Sequence, residues 1–418
     1  MSEKWGRVLI MKDFFRDLAR LAIALAASIL ATSPGLAETP PKPPLILISI
    51  DGFRADYLNR GFSPNLSALA AGGVRAERMI PAFPSITFPN HYTLVTGLYP
   101  DHHGIVNNTF EDPKLPGVFK MASKEEAWWD EATPIWVSAE RQGVATATMF
   151  WPGSDTVIHG VRPQHWELFN PAVSSDERVD KVLGWLDLPQ AQRPRFLTLY
   201  FNLVDTNGHI FGPDSPQVGQ AIAKTDAAIG RLIEGLKARG ISADLIIVSD
   251  HGMAATAPER TIVLDDVIDV SAVHMVFDDA VSGVDIPNTP AGQAARAKLL
   301  AAHDHMTCWN RTDIPARFHY GANPRVPDVI CAAEVGWLIE TREGLAKRHF
   351  PLLGEHGYDN QDPRMGALFI ANGPAFRKGV VVKPFPNVDV YPLMTRVLGL
   401  KAEPNDGNFA ELEPILAR

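Results

Sequence analysis

The sequence predicts an α/β fold in which a mostly parallel central sheet carries helices on both faces. Four short apolar runs each end abruptly at polar residues, which is typical of strands buried on both faces of a parallel sheet. They occupy residues 45–50, 196–204, 245–248 and 367–370. Stretches with apolar residues at three- and four-residue spacing lie between these runs, and such alternation predicts strand–helix–strand units.

Two helices and one less regular region follow from the same patterns. Residues 63–71 and 217–239 have helical spacing, and Gly240 closes the second of these stretches. Residues from about 253 to 345 have weaker periodicity and contain both cysteines. We interpret this region as an insertion or lid with smaller elements of its own, within one domain that covers residues 38–418.

The amino-terminal residues predict a cleaved secretory signal. Five basic residues precede an uncharged apolar run at 21–30, and a small-residue stretch at 31–37 follows. This three-part order indicates a signal peptide over residues 1–37, and therefore an exported protein that is periplasmic or secreted. The alternative is a membrane anchor, but the apolar run is shorter than the roughly 20 residues that a spanning helix needs, so no stable membrane span is expected. Met11 is an alternative start, since it keeps the basic residues Lys12, Arg16 and Arg20.

The charge of the chain argues against wrapping around a nucleic-acid duplex. The formal net charge is −9 for all 418 residues. Residues 1–37 hold five basic and three acidic side chains, so the remainder carries −11. Proteins that wrap nucleic acid present basic patches instead. The attraction of an anionic substrate must therefore come from the site itself.

Two cysteines, Cys308 and Cys331, allow a single pairing. Export permits a disulfide, and we favour that bridge. The alternative is a pair of small buried thiols. Neither is expected to bind zinc, because the C-x-x-C spacing of such sites is absent from the sequence.

Carboxylates and histidines gather at the predicted strand ends. The set is Asp51, Asp205, His209, Asp250, His251 and His356, and most members lie beside glycine. In open α/β sheets, ligands bind beyond the carboxyl ends of the strands. Oxygen and nitrogen ligands without thiolate suit zinc, with manganese or iron less favoured. Two divalent ions would outweigh three carboxylates, which leaves a positive site for a phosphate group. Taken singly, each aspartate is as well explained as a turn cap and each histidine as a structural residue.

Thr87 is the candidate nucleophile. A bound metal can lower the pKa of a hydroxyl and so turn it into a nucleophile. Pro89 is tolerated in a first helical turn, which places Thr87 near a helix N-terminus that favours anions. The alternative is that Thr87 is only an N-cap residue. The local sequence leaves both interpretations open.

Taken together, these motifs resemble the nucleotide pyrophosphatase/phosphodiesterase family of the alkaline phosphatase superfamily. The resemblance covers nearly all of the chain after residue 37. It is carried by residues 50–54, 87–91, 99–100, 103–105, 108, 205–209, 212–215, 249–253 and 356–357. It implies that residues 38–418 are one catalytic, alkaline-phosphatase-like domain.

The resemblance also implies a site with two zinc ions and a covalent phospho-threonine. One zinc would be held by Asp205, His209 and His356. The other would be held by Asp51, Asp250 and His251, with Thr87 as its fourth ligand. For the substrate, Asn108 would hold a phosphoryl oxygen and Phe88 would stack on a nucleobase. Tyr200 and Phe169 would complete the base pocket.

We therefore expect a hydrolase of phosphodiester or phosphoanhydride bonds in a small molecule, most simply a nucleotide. The segment around Thr87 lacks the C/S-x-P-x-R motif of sulfatases and the nearby arginine of monoester phosphatases. Phosphonoacetate hydrolase and phosphocholine-ester phosphodiesterase remain as enzyme alternatives. A nucleotide- or metal-binding protein that has lost catalysis is the non-enzyme alternative. The sequence fixes neither the leaving group nor the oligomeric state.

Overall fold

The structure is a computed structural model that describes residues 42–348 and 351–417. The predicted signal peptide over residues 1–37 and the alternative start at Met11 lie outside the described residues. The chain divides into two units, Met1–Lys42 and Pro43–Arg418, and the second contains all of the described helices and strands. None of these helices is both long enough and apolar enough to cross a membrane.

Twelve strands form the two larger sheets among the described residues. In chain order they are β1 (Leu45–Ile50), β2 (Val74–Ala76), β3 (Thr146–Met149), β4 (His165–Glu167), β5 (Phe196–Phe201), β6 (Asp244–Val248), β7 (His274–Phe277), β8 (Val281–Asp285), β9 (Met306–Asn310), β10 (Val329–Ala333), β11 (Phe369–Asn372) and β12 (Val380–Val382). Four two-stranded ribbons pair Met79–Ile80 with Phe385–Pro386, Phe110–Glu111 with Val118–Phe119, Ala254–Ala255 with Gly354–Glu355, and Thr261–Val263 with Leu338–Glu340.

The helices alternate with the strands. They are α1 (Pro64–Gly72), α2 (Thr87–Thr96), α3 (Pro100–His103), α4 (Ile135–Arg141), α5 (Ser175–Leu186), α6 (Leu203–Phe211), α7 (Pro216–Ala238), α8 (Pro290–Leu299), α9 (Arg342–Lys347), α10 (Val390–Leu398) and α11 (Phe409–Leu412). Short 3₁₀ helices lie at Ala55–Asn59, Glu126–Trp128, Leu264–Asp266, Val270–Ala272, Arg311–Asp313, Ala316–Phe318, Pro363–Met365, Asn387–Asp389 and Glu413–Ile415.

The central sheet has eight strands in the order β12-β2-β11-β6-β1-β5-β3-β4. Five of its seven pairings are parallel, and the two antiparallel ones both involve β11. Strand β1 lies between β5 and β6, so the segments that leave the carboxyl ends of these three strands meet at one edge. The predicted mostly parallel α/β fold is confirmed.

Helices cover both faces of this sheet because the side chains of β1 alternate between two cores. Leu45 and Leu47 pack in one core with apolar residues of α2, α4 and α10. Ile46, Ile48 and Ile50 pack in the other core with residues of α1, α5 and α7. Every residue of β1 is buried, which explains its uninterrupted apolar sequence.

Two strand predictions differ from the structure. The apolar run at 196–204 is not one strand, because β5 ends at Phe201 and α6 begins at Leu203. Asp205 therefore lies in the first turn of a helix. The run at 367–370 predicted a parallel strand, whereas β11 is antiparallel to both of its neighbours. An apolar run shows that a strand is buried on both faces but carries no information about its direction.

A second, four-stranded sheet lies within the region predicted as an insertion. Its order is β7-β8-β10-β9, and all of its pairings are antiparallel. Cys308 of β9 faces Cys331 of β10 directly, and the two form a disulfide. The predicted bridge is therefore present in the structure.

Candidate active site

The first cluster of predicted metal ligands lies directly beyond strands β1 and β6. Asp51 follows β1, and Asp250 and His251 follow β6 with one residue between. All three side chains are buried. His251 Nε2 lies 3.4 Å from Asp51 Oδ1 and 3.0 Å from Asp250 Oδ2. One potential ligand atom from each residue fits within 4.8 Å of the other two, which is compact enough for a shared cation.

The second cluster comes from a helix and from a segment beyond the antiparallel sheet. Asp205 and His209 lie one turn apart on α6, with 3.3 Å between Asp205 Oδ1 and His209 Nε2. His356 follows the short strand Gly354–Glu355, and its Nε2 lies 3.6 Å from Asp205 Oδ1. The ring of His356 also stacks on His251 with the ring centroids 3.5 Å apart. The two clusters are therefore adjacent.

Backbone carbonyls hold the three predicted histidine ligands in one tautomer. Nδ1 lies 2.9 Å from Gly354 O in His209, from Gly252 O in His251 and from Ser85 O in His356. A carbonyl can only accept, so each Nδ1 carries the hydrogen and donates it. Nε2 then keeps its lone pair, which is the form of histidine that binds a metal.

The carboxylates of both clusters carry oxygens that need a cation. Asp51 Oδ1, Asp205 Oδ1 and Asp250 Oδ2 are buried and have no hydrogen-bond partner among the described residues. Burial, together with the negative charges of Asp250 and Asp205, raises the pKa of Asp51 well above its ordinary value. Buried carboxylate oxygens without a hydrogen-bond partner, next to histidines whose Nε2 atoms keep a lone pair, suit divalent metal ions, so the residues present fit such ions.

Thr87 stands at the start of α2, next to the first cluster. Its Oγ1 lies 3.2 Å from His251 Nε2. Thr87 is the first residue of the helix, whereas Ile86 is the residue at the N-cap. The Thr87 side chain is thus not the N-cap of the helix, contrary to the simpler interpretation of the sequence.

The turn before Thr87 is held by a buried side chain. Asn90 Nδ2 donates to Pro84 O and Ile86 O at 3.0 and 2.9 Å, and Asn90 Oδ1 accepts from Ala82 N at 2.7 Å. In a regular helix the N–H of residue 89 would donate to the carbonyl of Ser85, but Pro89 has no N–H. The Ser85 carbonyl is therefore free to accept from His356 Nδ1. The same turn therefore places the hydroxyl at one cluster and orients a histidine of the other.

A cavity of about 360 Å³ opens over both clusters. Its polar floor includes Asp51, Thr87, Asp205, His209 and His356. Asn108 also lines it, and Asn108 Oδ1 accepts from the backbone N–H of Phe88 at 2.9 Å. The Nδ2 group of Asn108 is therefore the end that can donate to a ligand. The remaining walls include the aromatic residues Phe88, Phe150, Trp151, Phe169 and Tyr200.

Comparison with known proteins identifies the group to which this arrangement belongs. A family model described as type I phosphodiesterase / nucleotide pyrophosphatase matches residues 45–359, about three quarters of the chain. The chain belongs to this family. The resemblance inferred from the sequence motifs is thereby confirmed, and so is the enzyme class.

Named relatives and solved structures agree with the family assignment. An uncharacterized pyrophosphatase/phosphodiesterase of Schizosaccharomyces pombe is 42% identical over 89% of this chain and 80% of its own length. The bis(5'-adenosyl)-triphosphatase enpp4 of Xenopus laevis is 38% identical over 90% of this chain and 82% of its own length. The solved murine ectonucleotide pyrophosphatase/phosphodiesterase 5 superimposes with a TM-score of 0.85 at 35% identity, over 90% of this chain and 100% of that one. An inactive form of the murine protein has been solved in complex with AMP.

In this family member, Phe169 and Tyr200, which were predicted to complete the base pocket, have different surroundings. Phe169 is 47% exposed at the cavity, and its ring lies 5.2 Å from that of Phe150. Tyr200 also lines the cavity, but its hydroxyl donates to Asp51 Oδ2 at 2.6 Å. The sequence interpretation gave Tyr200 a place beside the base and did not foresee this bond to a predicted metal ligand.

Several polar residues at the site were missed by the sequence reasoning. Glu355 Oε2 lies 3.4 Å from His209 Nδ1, and Glu355 can share a cation with His209 and His356. Its position directly before His356 was the available signal. Lys124 and Asp155 form an ion pair of 2.6 Å at the cavity wall. They lie 31 positions apart in irregular segments, so the sequence pattern had no means of pairing them.

Proposed function

We propose that this family member hydrolyses phosphodiester and phosphoanhydride bonds of nucleotides with two zinc ions and a covalent intermediate on Thr87. The observation that carries the proposal is the position of the Thr87 hydroxyl. It lies 3.2 Å from His251 Nε2, and Thr87 lines the same cavity as the aromatic side chains. A phosphorus atom placed over Thr87 would leave the rest of a nucleotide among those rings.

The metal ligands of the proposal are the two predicted sets. Asp51, Asp250 and His251 would hold one ion beside Thr87, and Asp205, His209 and His356 would hold the other. Zinc is favoured because every donor is a carboxylate oxygen or an imidazole nitrogen. When bound, the two ions supply a lowered pKa for the Thr87 hydroxyl and neutralise the charge that builds up on phosphoryl oxygens.

The residues of the chain have distinct roles in the reaction. Thr87 loses its proton, and its Oγ1 attacks phosphorus in line with the bond to the leaving group. That bond breaks, the leaving oxygen takes the electron pair and then a proton, and Thr87 is left esterified to the phosphate that still carries the rest of the nucleotide. Water then attacks phosphorus, and Thr87 Oγ1 leaves and recovers a proton. Asn108 Nδ2 donates to a phosphoryl oxygen throughout.

The cavity walls support a nucleotide as the substrate. Phe88 and Phe169 offer faces on which a base can stack. Lys124 and Asp155 offer a donor and an acceptor for the polar edge of the base, and the buried Asp155 Oδ1 has no hydrogen-bond partner among the described residues. The murine relative in complex with AMP is consistent with this choice.

A substrate panel tests the proposal. Zinc-loaded enzyme is assayed with a nucleotide diester, a simple phosphomonoester, a phosphocholine ester and phosphonoacetate. We expect the highest kcat/KM with the nucleotide diester, and acid-quenched enzyme should carry the nucleotidyl phosphate on the peptide with Thr87. A preference for phosphonoacetate or for the phosphocholine ester would replace the nucleotide proposal with one of those activities. Nucleotide binding without any turnover would favour the binding-protein alternative.

We further propose that the protein is exported and that residues 38–418 are its catalytic domain. The disulfide between Cys308 and Cys331 supports an oxidising compartment. Relatives named ectonucleotide pyrophosphatase/phosphodiesterase point in the same direction. Amino-terminal sequencing of the mature protein tests both statements, because cleavage after Ala37 leaves Glu38 as the first residue.

A further inference from the structure

A fully buried histidine outside the predicted ligand sets lies against both the nucleophile and the first metal cluster. His91 is on α2, one turn after Thr87, and is 0% exposed. Its ring forms edge-to-face pairs with Trp151 and Tyr200, with centroid distances of 4.9 and 5.3 Å. Both of these aromatic residues line the cavity.

The two ring nitrogens of His91 have different partners. Nδ1 lies 2.9 Å from the backbone oxygen of Thr87 and 3.3 Å from Asp250 Oδ2. Both oxygens are acceptors, so Nδ1 must carry the hydrogen. Nε2 lies 2.8 Å from the hydroxyl of Ser49, which is on β1 two residues before Asp51.

This arrangement joins parts of the site that are distant in the chain. Thr87 begins α2, whereas Asp250 lies two residues after the end of β6. His91 Nδ1 donates to the Thr87 carbonyl and also lies within ion-pair distance, 3.3 Å, of the Asp250 carboxylate. The imidazole of His91 therefore contacts both the Thr87 backbone and the Asp250 carboxylate.

We propose that His91 is a positioning residue whose Nδ1–H holds Thr87 and Asp250 at the separation that the reaction needs. The inference rests on the proposed role of Thr87 as the nucleophile. His91 is not among the residues that line the cavity or that could share a cation, so it would act only through Thr87 and Asp250. Its removal should lower kcat more than it raises KM, because the substrate contacts in the cavity stay in place.

Two amide substitutions separate the two ends of the ring. The Nδ2 group of asparagine stands where Nδ1 stands in histidine, so His91→Asn keeps the donor to Thr87 O and Asp250. His91→Gln reaches the Nε2 position and keeps a partner for Ser49, but it loses that donor. His91→Leu fills the space without either polar group. The control is His103→Gln, which alters another fully buried histidine whose Nε2 contacts Thr93 Oγ1 instead of the site.

The readouts are kcat, KM, metal content and thermal midpoint. We expect His91→Gln and His91→Leu to lower kcat by about 10- to 100-fold, as other changes around metal ligands do, with little change in KM. His91→Asn should recover most of that loss. The two donor-less variants should also lose metal at a lower chelator concentration than His91→Asn does.

Equal kcat values for His91→Asn and His91→Gln, at equal thermal midpoints, would overturn the proposal. The proposal would also be overturned if kcat of the His91 variants fell only in proportion to their thermal midpoints, as in the His103→Gln control. The chelator series needs no turnover, so it tests His91 even if the wild-type enzyme fails to cleave nucleotides. If Thr87→Ala keeps full activity, the proposed function fails, and the chelator series still decides whether His91 orders the Asp250 cluster.

Discussion

The carboxyl edge of the central sheet and the antiparallel sheet β7–β10 differ in which groups they bury. At the edge, one buried carboxylate oxygen of each of Asp51, Asp205 and Asp250 has no hydrogen-bond partner among the described residues. The antiparallel sheet instead packs a satellite core that includes the Cys308–Cys331 disulfide. Burying such oxygens without cations is costly, whereas the satellite core is built from apolar side chains.

The two regions also relate differently to the cavity. Among the described residues, none that lines the cavity comes from 253–345. That region supports the cavity indirectly through Arg325. The Arg325 guanidinium donates to three backbone oxygens, those of Gly104, Ala127 and Trp128. It also forms an ion pair with Asp112. These contacts hold the segment that carries Asn108 and Lys124. The proposed chemistry therefore lies at the edge of the central sheet, and the second sheet supports one wall of the cavity.

The largest difference between the regions should appear with threonine-to-alanine substitutions. Thr87→Ala removes the attacking oxygen, so we expect a loss of activity on the order of 10³-fold or more, as for other nucleophile deletions. Metal content should stay near the wild-type value, because Asp51, Asp250 and His251 remain. Steady-state rates and metal analysis of the same preparation measure both effects.

Thr307→Ala is the matched control for this experiment. Thr307 is an exposed residue of β9 in the antiparallel sheet. The same chemical change should leave the rate unaltered there. Activity of Thr87→Ala within about tenfold of the wild type would remove Thr87 from the mechanism.

Metal ligands should show the next largest contrast. The purified protein should hold close to two zinc ions, and Asp205→Ala or His356→Ala should lower this number by about one. Activity should fall by more than about 100-fold. Substitution of a residue that merely hydrogen-bonds to a metal ligand already lowers metal affinity or activity by about 10- to 100-fold. In the other region, His274→Ala alters an exposed histidine paired with Glu111 and should change neither value. A fully active preparation without transition metal would refute the two-ion proposal.

The sequence predicted the position of the site at the carboxyl edge of the sheet better than it predicted the contacts within the site. Asp51 and Asp250 could be placed because each comes just beyond a buried strand, and neighbouring parallel strands end together. Asp205 was placed at the right edge but on the wrong element, because an apolar run does not show where a strand gives way to a helix. The hydrogen bond of Tyr200 to Asp51 and the contact of His91 Nδ1 with Asp250 depend on side-chain directions between distant segments, which no local pattern encodes.

Substitution of Phe88 in the aromatic wall of the cavity should lower activity less than the changes above. The Phe88 ring packs 6.1 Å from both Phe119 and Trp129, which hold it in place beside the cavity. A base stacked on Phe88 would gain roughly 1–3 kcal/mol, so Phe88→Ala should lower kcat/KM for nucleotide substrates by about tenfold or more. Phe88→Tyr should keep most of the activity.

A small aryl phosphate diester without a base separates stacking from packing. Its turnover should barely change in Phe88→Ala, because only the base contact is lost. Equal losses with both substrates would show that Phe88 is a packing residue. The nucleotide assignment would then lose its main support on this wall, and the edge would retain only its metal and nucleophile chemistry.

The smallest effect on activity, and a clear effect on stability, should come from the disulfide. Cys308 and Cys331 close a loop with a sequence separation of 23 residues, and in the chain-entropy model such a bridge contributes about 3 kcal/mol. The double substitution Cys308→Ser and Cys331→Ser should therefore lower the denaturant midpoint. It should leave kcat/KM unchanged under native conditions, since the bridge lies outside the cavity lining.

Alkylation of the exported wild-type protein without reduction, followed by mass spectrometry, should find neither thiol free. If the double variant keeps its stability but loses activity, the antiparallel sheet does more for the site than support the segment held by Arg325, and the division between the two regions fails.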